Sequence, residues 1–280
     1  MTWQIWREHN LESQFNPRAA IGEETNEILL GWANQSNKRR SELKGLFDIP
    51  YGEHPLMQYD CHVTAENDLI IINIHGGYFR ALDKSDMDHH MADLIKSGNG
   101  VININYPLCP EVSLTEIIAA LKSGIKKIIS VLSSEGLMQK IILMGHSAGA
   151  HLAMHLSQEK ILNSRLVGII ALSGAYELGF VRELTVNQDV RLSSAEMHQF
   201  NCLSNLPAQG LKYYIAVGGD EPSGWIDQSW LIARELTKRG DDPTFHVCSK
   251  ANHFNLVDYL CDSGNPEGAV LHKWIRSTLA

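Results

Sequence analysis

The sequence predicts an α/β fold in which a mostly parallel sheet carries helices on both faces. Three observations predict it. Apolar runs of strand length recur along the chain: Leu69–Ile74 (LIIINI), Val101–Tyr106 (VININY), residues 140–144, Leu166–Gly174 (LVGIIALSG) and Lys212–Gly219 (KYYIAVGG). Such unbroken runs suit strands buried on both sides. Helix-length stretches with apolar positions three and four apart separate them. One apolar run stops at Gly145-His146-Ser147-Ala148-Gly149 and passes straight into helix-favouring sequence. Strand, sharp turn, helix is the context of a nucleophile elbow.

Each element follows in order. Residues 8–15 suit a short helix, which Asn16-Pro17-Arg18 interrupts. Residues 19–45 carry Ile21, Ile28, Leu29 and Trp32 among polar positions, the pattern of a one-sided helix packed over the outside of the fold or near a site entrance. Asp48–Gly52 is a turn signal, and Met57–Val63 alternates like a half-exposed strand. After strand 69–74 come a helix at 84–96, strand 101–106 and a helix at 113–135 with Leu114, Ile117, Ile118, Leu121, Ile125 and Ile128 on one face. Strand 140–144 leads into the elbow and its helix. Strands 166–174 and 212–219, a helix at about 226–239, a short strand at 244–247 and a helix at 267–279 complete the alternation. That repetition implies parallel strands. Residues 175–210 are polar and irregular and fall between two strands, so they are expected to form a small cap beside the site. The chain reads as one domain, 1–280, with an N-terminal helical segment of about 1–46.

Composition narrows the function. With 280 residues, 44% of them hydrophobic, the chain can bury a sizeable core. A net charge of −8, with Lys38-Arg39-Arg40 as its only run of three basic residues, argues against nucleic-acid binding. No stretch is apolar enough to span a membrane, and Met1–Phe15 does not read as a signal peptide. Five scattered cysteines without a C-x-x-C pair read as free thiols, and the expectation is a cytoplasmic protein. The sequence sets no oligomeric state and leaves a homodimer open.

The chemistry starts at Ser147. A serine hydroxyl is a weak nucleophile at neutral pH; it needs a base, and the base needs a carboxylate to orient it. With the nucleophile on an elbow, the chain order is Ser, acid, His. Asp220 and Glu221 directly follow the strand ending at Gly219, and either suits the acid. Of thirteen histidines, only His253 and His272 follow the last strand. His272 falls inside the closing helix, which leaves His253 as the base. The oxyanion donors expected are the backbone N–H groups of Ala148 and of Gly77 and Tyr78, in His75-Gly76-Gly77-Tyr78 after strand 69–74. A rival reading places zinc on His151 and His155, four apart on a helix, but the Glu of H-E-x-x-H and an obvious third ligand are missing. His89-His90 likewise shows no partner at ligand spacing. No metal or cofactor is expected.

These residues carry a family likeness. The chain resembles the kynurenine formamidase (arylformamidase) branch of the α/β-hydrolases, near the hormone-sensitive-lipase-like esterases. The likeness rests on Phe15–Arg18, Asp48–Gly52, HGGYFRALDKSD (His75–Asp86), NYPLCPEVSLTEI (Asn105–Ile117), GHSAGAHLA (Gly145–Ala153), LSGAYEL (Leu172–Leu178) and NHFNLVDYL (Asn252–Leu260). It implies an α/β-hydrolase fold with Ser147 as nucleophile and His253 as base, and it favours Glu221 over Asp220. Glu stands where relatives carry Asp. Phe79 stands where relatives often carry Trp, and Pro222-Ser223-Gly224-Trp225 differs from their Ser-Pro-Glu-Phe type. Phe79 and Trp225 are therefore expected in the substrate pocket. The activity implied is cleavage of N-formylkynurenine to kynurenine and formate. The alternatives are a carboxylesterase for short acyl or aryl esters and, in another class, a non-catalytic binding protein on the same scaffold.

Overall fold

The computed structural model describes residues 2–279. Eight strands form one sheet: β1 (Leu46–Pro50), β2 (Gln58–His62), β3 (Leu69–Ile74), β4 (Gly100–Ile104), β5 (Lys140–His146), β6 (Leu166–Leu172), β7 (Lys212–Gly218) and β8 (Thr244–Cys248). Their spatial order is β1-β2-β4-β3-β5-β6-β7-β8. Pairing is antiparallel from β1 to β4 and parallel from there to β8. The helices are α1 (Leu11–Phe15), α2 (Pro17–Ile21), α3 (Glu24–Arg40), α4 (Asp88–Lys96), α5 (Leu114–Ser134), α6 (Ala148–Leu156), α7 (Asn187–Val190), α8 (Ser194–Gln199), α9 (Ser223–Arg239), α10 (Asn255–Cys261) and α11 (Pro266–Ser277).

The two-residue period of the strands sorts the core into two layers. Ile70, Ile72, Ile74, Leu143, Ile169, Ile215 and Val217 face one side, where α5, α6 and α9 pack. Leu69, Ile71, Ile142, Met144, Ile170, Tyr214 and Ala216 face the other, with α3, α4, α10 and α11. Both faces of β3 are therefore covered, as its unbroken apolar run requires. Ser113 and Glu116 form a capping box that starts α5.

Several boundaries differ from the expected ones. The expected helix over 19–45 is two, parted at Gly22, whose φ of 78° no ordinary helix residue adopts. Leu46–Pro50, overlapping the expected turn at 48–52, is strand β1; it pairs with β2 across a register shift. Helix α10 was not foreseen. The segment 175–210 is not a polar excursion: Tyr176, Leu178, Phe180, Val181, Val190 and Phe200 are buried in the first core layer. Short helical turns hide that apolar pattern, because none is long enough to show a period.

Helix α3 is tied to the sheet by buried charge. The Arg40 guanidinium donates to Asp60 at 2.8 Å and to Asp88 at 2.7 Å, and Lys84 reaches Asp60 at 2.9 Å. Asp60 and Asp88 are fully buried, so these cations are what make their burial tolerable. No helix among the described residues is long and apolar enough to cross a membrane.

Candidate active site

Ser147 occupies the turn between β5 and α6 with φ 56° and ψ −120°, a strained backbone for a residue with a Cβ. The flanking glycines permit it. A Cβ on Gly145 would lie 2.3 Å from the Gly149 carbonyl carbon, and one on Gly149 would lie 2.0 Å from the Ile74 oxygen. The Ser147 N–H donates to the Leu172 carbonyl of β6 at 2.8 Å, which pins the turn.

The structure chooses between the two acids. Glu221 is buried and its Oε2 accepts from His253 Nδ1 at 2.7 Å, whereas Asp220 is exposed. The Gly218 N–H donates to Glu221 Oε1 at 2.7 Å. A carboxylate only accepts, so Nδ1 carries the proton and Nε2 presents a lone pair. His253 is further held from behind, where His146 Nε2 donates to its carbonyl at 2.8 Å. Burial first, and the neighbouring His253 second, keep His146 well below the usual histidine range, so it adds no charge there near neutral pH.

Ser147 and His253 line one cavity of about 60 Å³, together with Gly77, Tyr78, His146 and Phe254. Gly77, Tyr78 and Phe79 all have positive φ, at 95°, 53° and 62°. Among the described residues the N–H groups of Gly77 and Tyr78 make no hydrogen bond, and that of Ala148 opens α6, where helix N–H groups have no intrahelical partner. This tight turn is braced from below. His75 stacks on Tyr106 at 4.2 Å and reaches Asn105 Oδ1 at 2.8 Å, while the Tyr106 hydroxyl donates to the His75 carbonyl at 2.8 Å.

Phe79 and Trp225, expected in the pocket, are fully buried and lie outside the cavity lining. Phe79 packs edge-on against His151, 5.6 Å away, and Trp225 lies against the His253 ring at 4.6 Å. Both support the site from behind. The opposite wall comes from Asn16, Pro17 and Arg18, Leu29 and Trp32 of α3, Arg80 to Leu82, and Val186 of the 175–210 segment that was expected to cap the site. Of the two positions left open for the N-terminal segment, the structure selects the site entrance.

The histidine pairs find third donors after all. Cys202 Sγ lies 3.5 Å from His151 Nδ1 and from His155 Nε2, and Asp258 joins His89 and His90. In the first group, both ring nitrogens already donate to backbone carbonyls, of Ala175 at 2.8 Å and Phe200 at 2.9 Å. Those two nitrogens therefore have no lone pair aimed at the sulfur, while His151 Nε2 is buried without a partner.

With the geometry in place, likenesses to known proteins add to it. Residues 59–168 match the BD-FAE family model. A kynurenine formamidase of Danio rerio is 23% identical over 93% of this chain and 94% of its own length. That of Salmo salar is 25% identical with the same coverage. Among solved structures, a candidate thioesterase of Silicibacter sp. TM1040 superposes with a TM-score of 0.79 at 22% identity, over 94% of this chain and 99% of that one. The carboxylesterase EstE1 from a metagenomic library gives 0.71 at 16% identity, over 91% and 97%. The chain has the α/β-hydrolase fold and resembles the kynurenine formamidases over nearly its whole length.

Proposed function

We propose that this hydrolase is an arylformamidase that converts N-formylkynurenine to kynurenine and formate through a Ser147–His253–Glu221 triad. The observation that carries the reading is the placement of Ser147 and the Glu221-oriented His253 on the lining of one cavity, beside the Gly77–Tyr78 turn. The relatives' activity over matched lengths supports the substrate.

In this mechanism His253 Nε2 takes the proton from Ser147 Oγ as the oxygen attacks the formyl carbon. The N–H groups of Gly77, Tyr78 and Ala148 receive the oxyanion. Glu221 stabilises the imidazolium, which then protonates the departing aromatic amine. Water, deprotonated by His253, attacks the formyl-serine and releases formate. Small molecules alone are the partners this chemistry needs, and every catalytic group belongs to the protein.

A second reading, a carboxylesterase for short acyl or aryl esters, uses the same groups and is favoured by the easier departure of an aryl alcohol than of an aryl amine. Parallel assays of wild type and Ser147→Ala on N-formylkynurenine and a p-nitrophenyl short-chain ester separate the two. Ser147-dependent formamide turnover supports the first reading. Ester turnover alone selects the second, and silence on both would leave a binding protein on a hydrolase scaffold.

A further inference from the structure

We propose that Ser173 is a positioning residue whose hydroxyl orients Glu221 and His253 as a fourth member of the hydrogen-bonded group. This inference deepens the triad reading and rests on it. Ser173 is fully buried at the end of β6. Its Oγ donates to Glu221 Oε2 at 2.5 Å and lies 3.0 Å from His253 Nδ1. The three side chains thus form a closed triangle, and Glu221 Oε2 receives both the hydroxyl and the imidazole N–H.

Two features make the hydroxyl more than a neighbour. Ser173 has φ 45°, a conformation that costs a residue with a Cβ and that glycine adopts freely. Its N–H is anchored to the Ala216 carbonyl at 2.7 Å. The backbone here does not call for a serine, whereas the hydroxyl has a partner to which no other side chain donates apart from His253. The second feature is the acid itself. Glutamate has one more rotatable bond than aspartate, so its carboxylate needs more to hold it at one angle. The Gly218 N–H holds Oε1, and Ser173 holds Oε2. The preceding residue, Leu172, accepts the Ser147 N–H. One strand end therefore sets the nucleophile's turn and the angle of the acid together.

Removing the hydroxyl leaves the buried carboxylate with one donor fewer and lets it swing. The other groups around the His253 ring are Trp225, Phe254 and neutral His146, at 4.6, 5.6 and 4.7 Å between ring centroids, so none of them replaces the lost donor.

The test uses Ser173→Gly, which suits the backbone and lacks the hydroxyl, with Ser173→Ala and the near-isosteric Ser173→Cys. The kcat and KM of turnover and the labelling of Ser147 by a fluorophosphonate are measured beside wild type. The expected result is a kcat lower by about ten- to a hundredfold in the Gly and Ala variants, the size of a lost hydrogen bond to a charged group. KM stays near wild type, and Cys falls between. In a Glu221→Gln background, Ser173→Gly adds little. A Gly variant with wild-type kcat overturns the inference, with the triad intact. A wild-type protein that neither labels at Ser147 nor turns over overturns the triad, and this inference with it.

Discussion

The cavity over Ser147 has two walls of different construction. One is the floor: Ser147, His253 and the Gly77–Tyr78 turn, with Glu221 bonded behind His253, all set at the carboxyl ends of parallel strands. Each floor group is fixed by a short bond to the sheet or its loops, such as Ser147 N–H to Leu172 or Gly218 N–H to Glu221. The other is the roof: Asn16 to Arg18, Leu29, Trp32 and Val186, drawn from helices and turns outside the sheet. Its ties to the body are side-chain contacts. Tyr78 donates from its hydroxyl to the Phe15 carbonyl, and Phe15 stacks on Phe180 at 4.2 Å. Trp32 donates to Asp258 at 3.4 Å and meets His90 edge-on at 5.0 Å. For the proposed reaction, the contrast teaches that chemistry would rest on backbone geometry and selection of substrate on packing. Changes to the floor should lower kcat, and changes to the roof should alter KM or stability.

The largest effect should come from Ser147→Ala, with a loss of about 10⁴- to 10⁶-fold in kcat on whichever substrate proves active. Residual turnover above that range would break the assignment of the floor. Next, Glu221→Gln keeps the side chain's shape but no longer fixes the imidazole tautomer, and should cost on the order of 10⁴-fold in kcat with little change in KM. Equal losses from Asp220→Asn would move the acid to the exposed neighbour.

Among roof changes, Trp32→Ala empties a buried indole site and should destabilise the fold by about 3–5 kcal/mol in a denaturant titration, while raising KM more than it lowers kcat. The roof should also weaken in acid. Burial above all, with His89 adding to it, pulls His90 down to about 4 against Asp258, which raises it. A folded value below the ordinary 6.5 means that protonation opposes folding. His90's contribution is therefore whole above about pH 6.5 and declines as the pH falls toward 4. Burial alone would raise Asp258, but its bonds from His89 and His90 hold it well below the usual carboxylate range. Its share is lost only in stronger acid. The melting temperature should thus drop by about 5 °C between pH 7 and pH 5, and His90→Gln, which cannot titrate, should flatten that drop. The smallest effect belongs to Arg18, an exposed cation at the cavity wall. Arg18→Ala should raise KM for N-formylkynurenine, whose amino-acid end bears a carboxylate, by about two- to fivefold, the scale of an exposed ion pair. KM for an uncharged ester should not change.

The division between what was legible early and what was not follows the same two walls. Apolar runs such as LIIINI, and the helix-spaced residues of 114–128, announce sheet and helix because those patterns depend only on neighbours in the chain. The elbow around Ser147 and the Gly76-Gly77 turn were visible because a local backbone conformation demands glycine at set positions. The roof was only half visible. The helix bearing Trp32 showed an apolar side but not which of two places it covered, and the apolar residues of 175–210 sit in turns too short to display a period. Glu221 and Asp220 were inseparable by spacing because adjacent residues differ only in where each side chain points. Ser173 gave no signal, since a serine after a strand is ordinary until its Oγ is seen between the acid and the base. The sequence alone determined the strand alternation, the tight turn at Ser147 and the chain order of the proposed triad. Tertiary structure alone decided which acid meets His253, what roofs the cavity and which hydroxyl steadies the pair. The physical reason is that these depend on side-chain directions between segments far apart in the chain, and only packing brings such segments together.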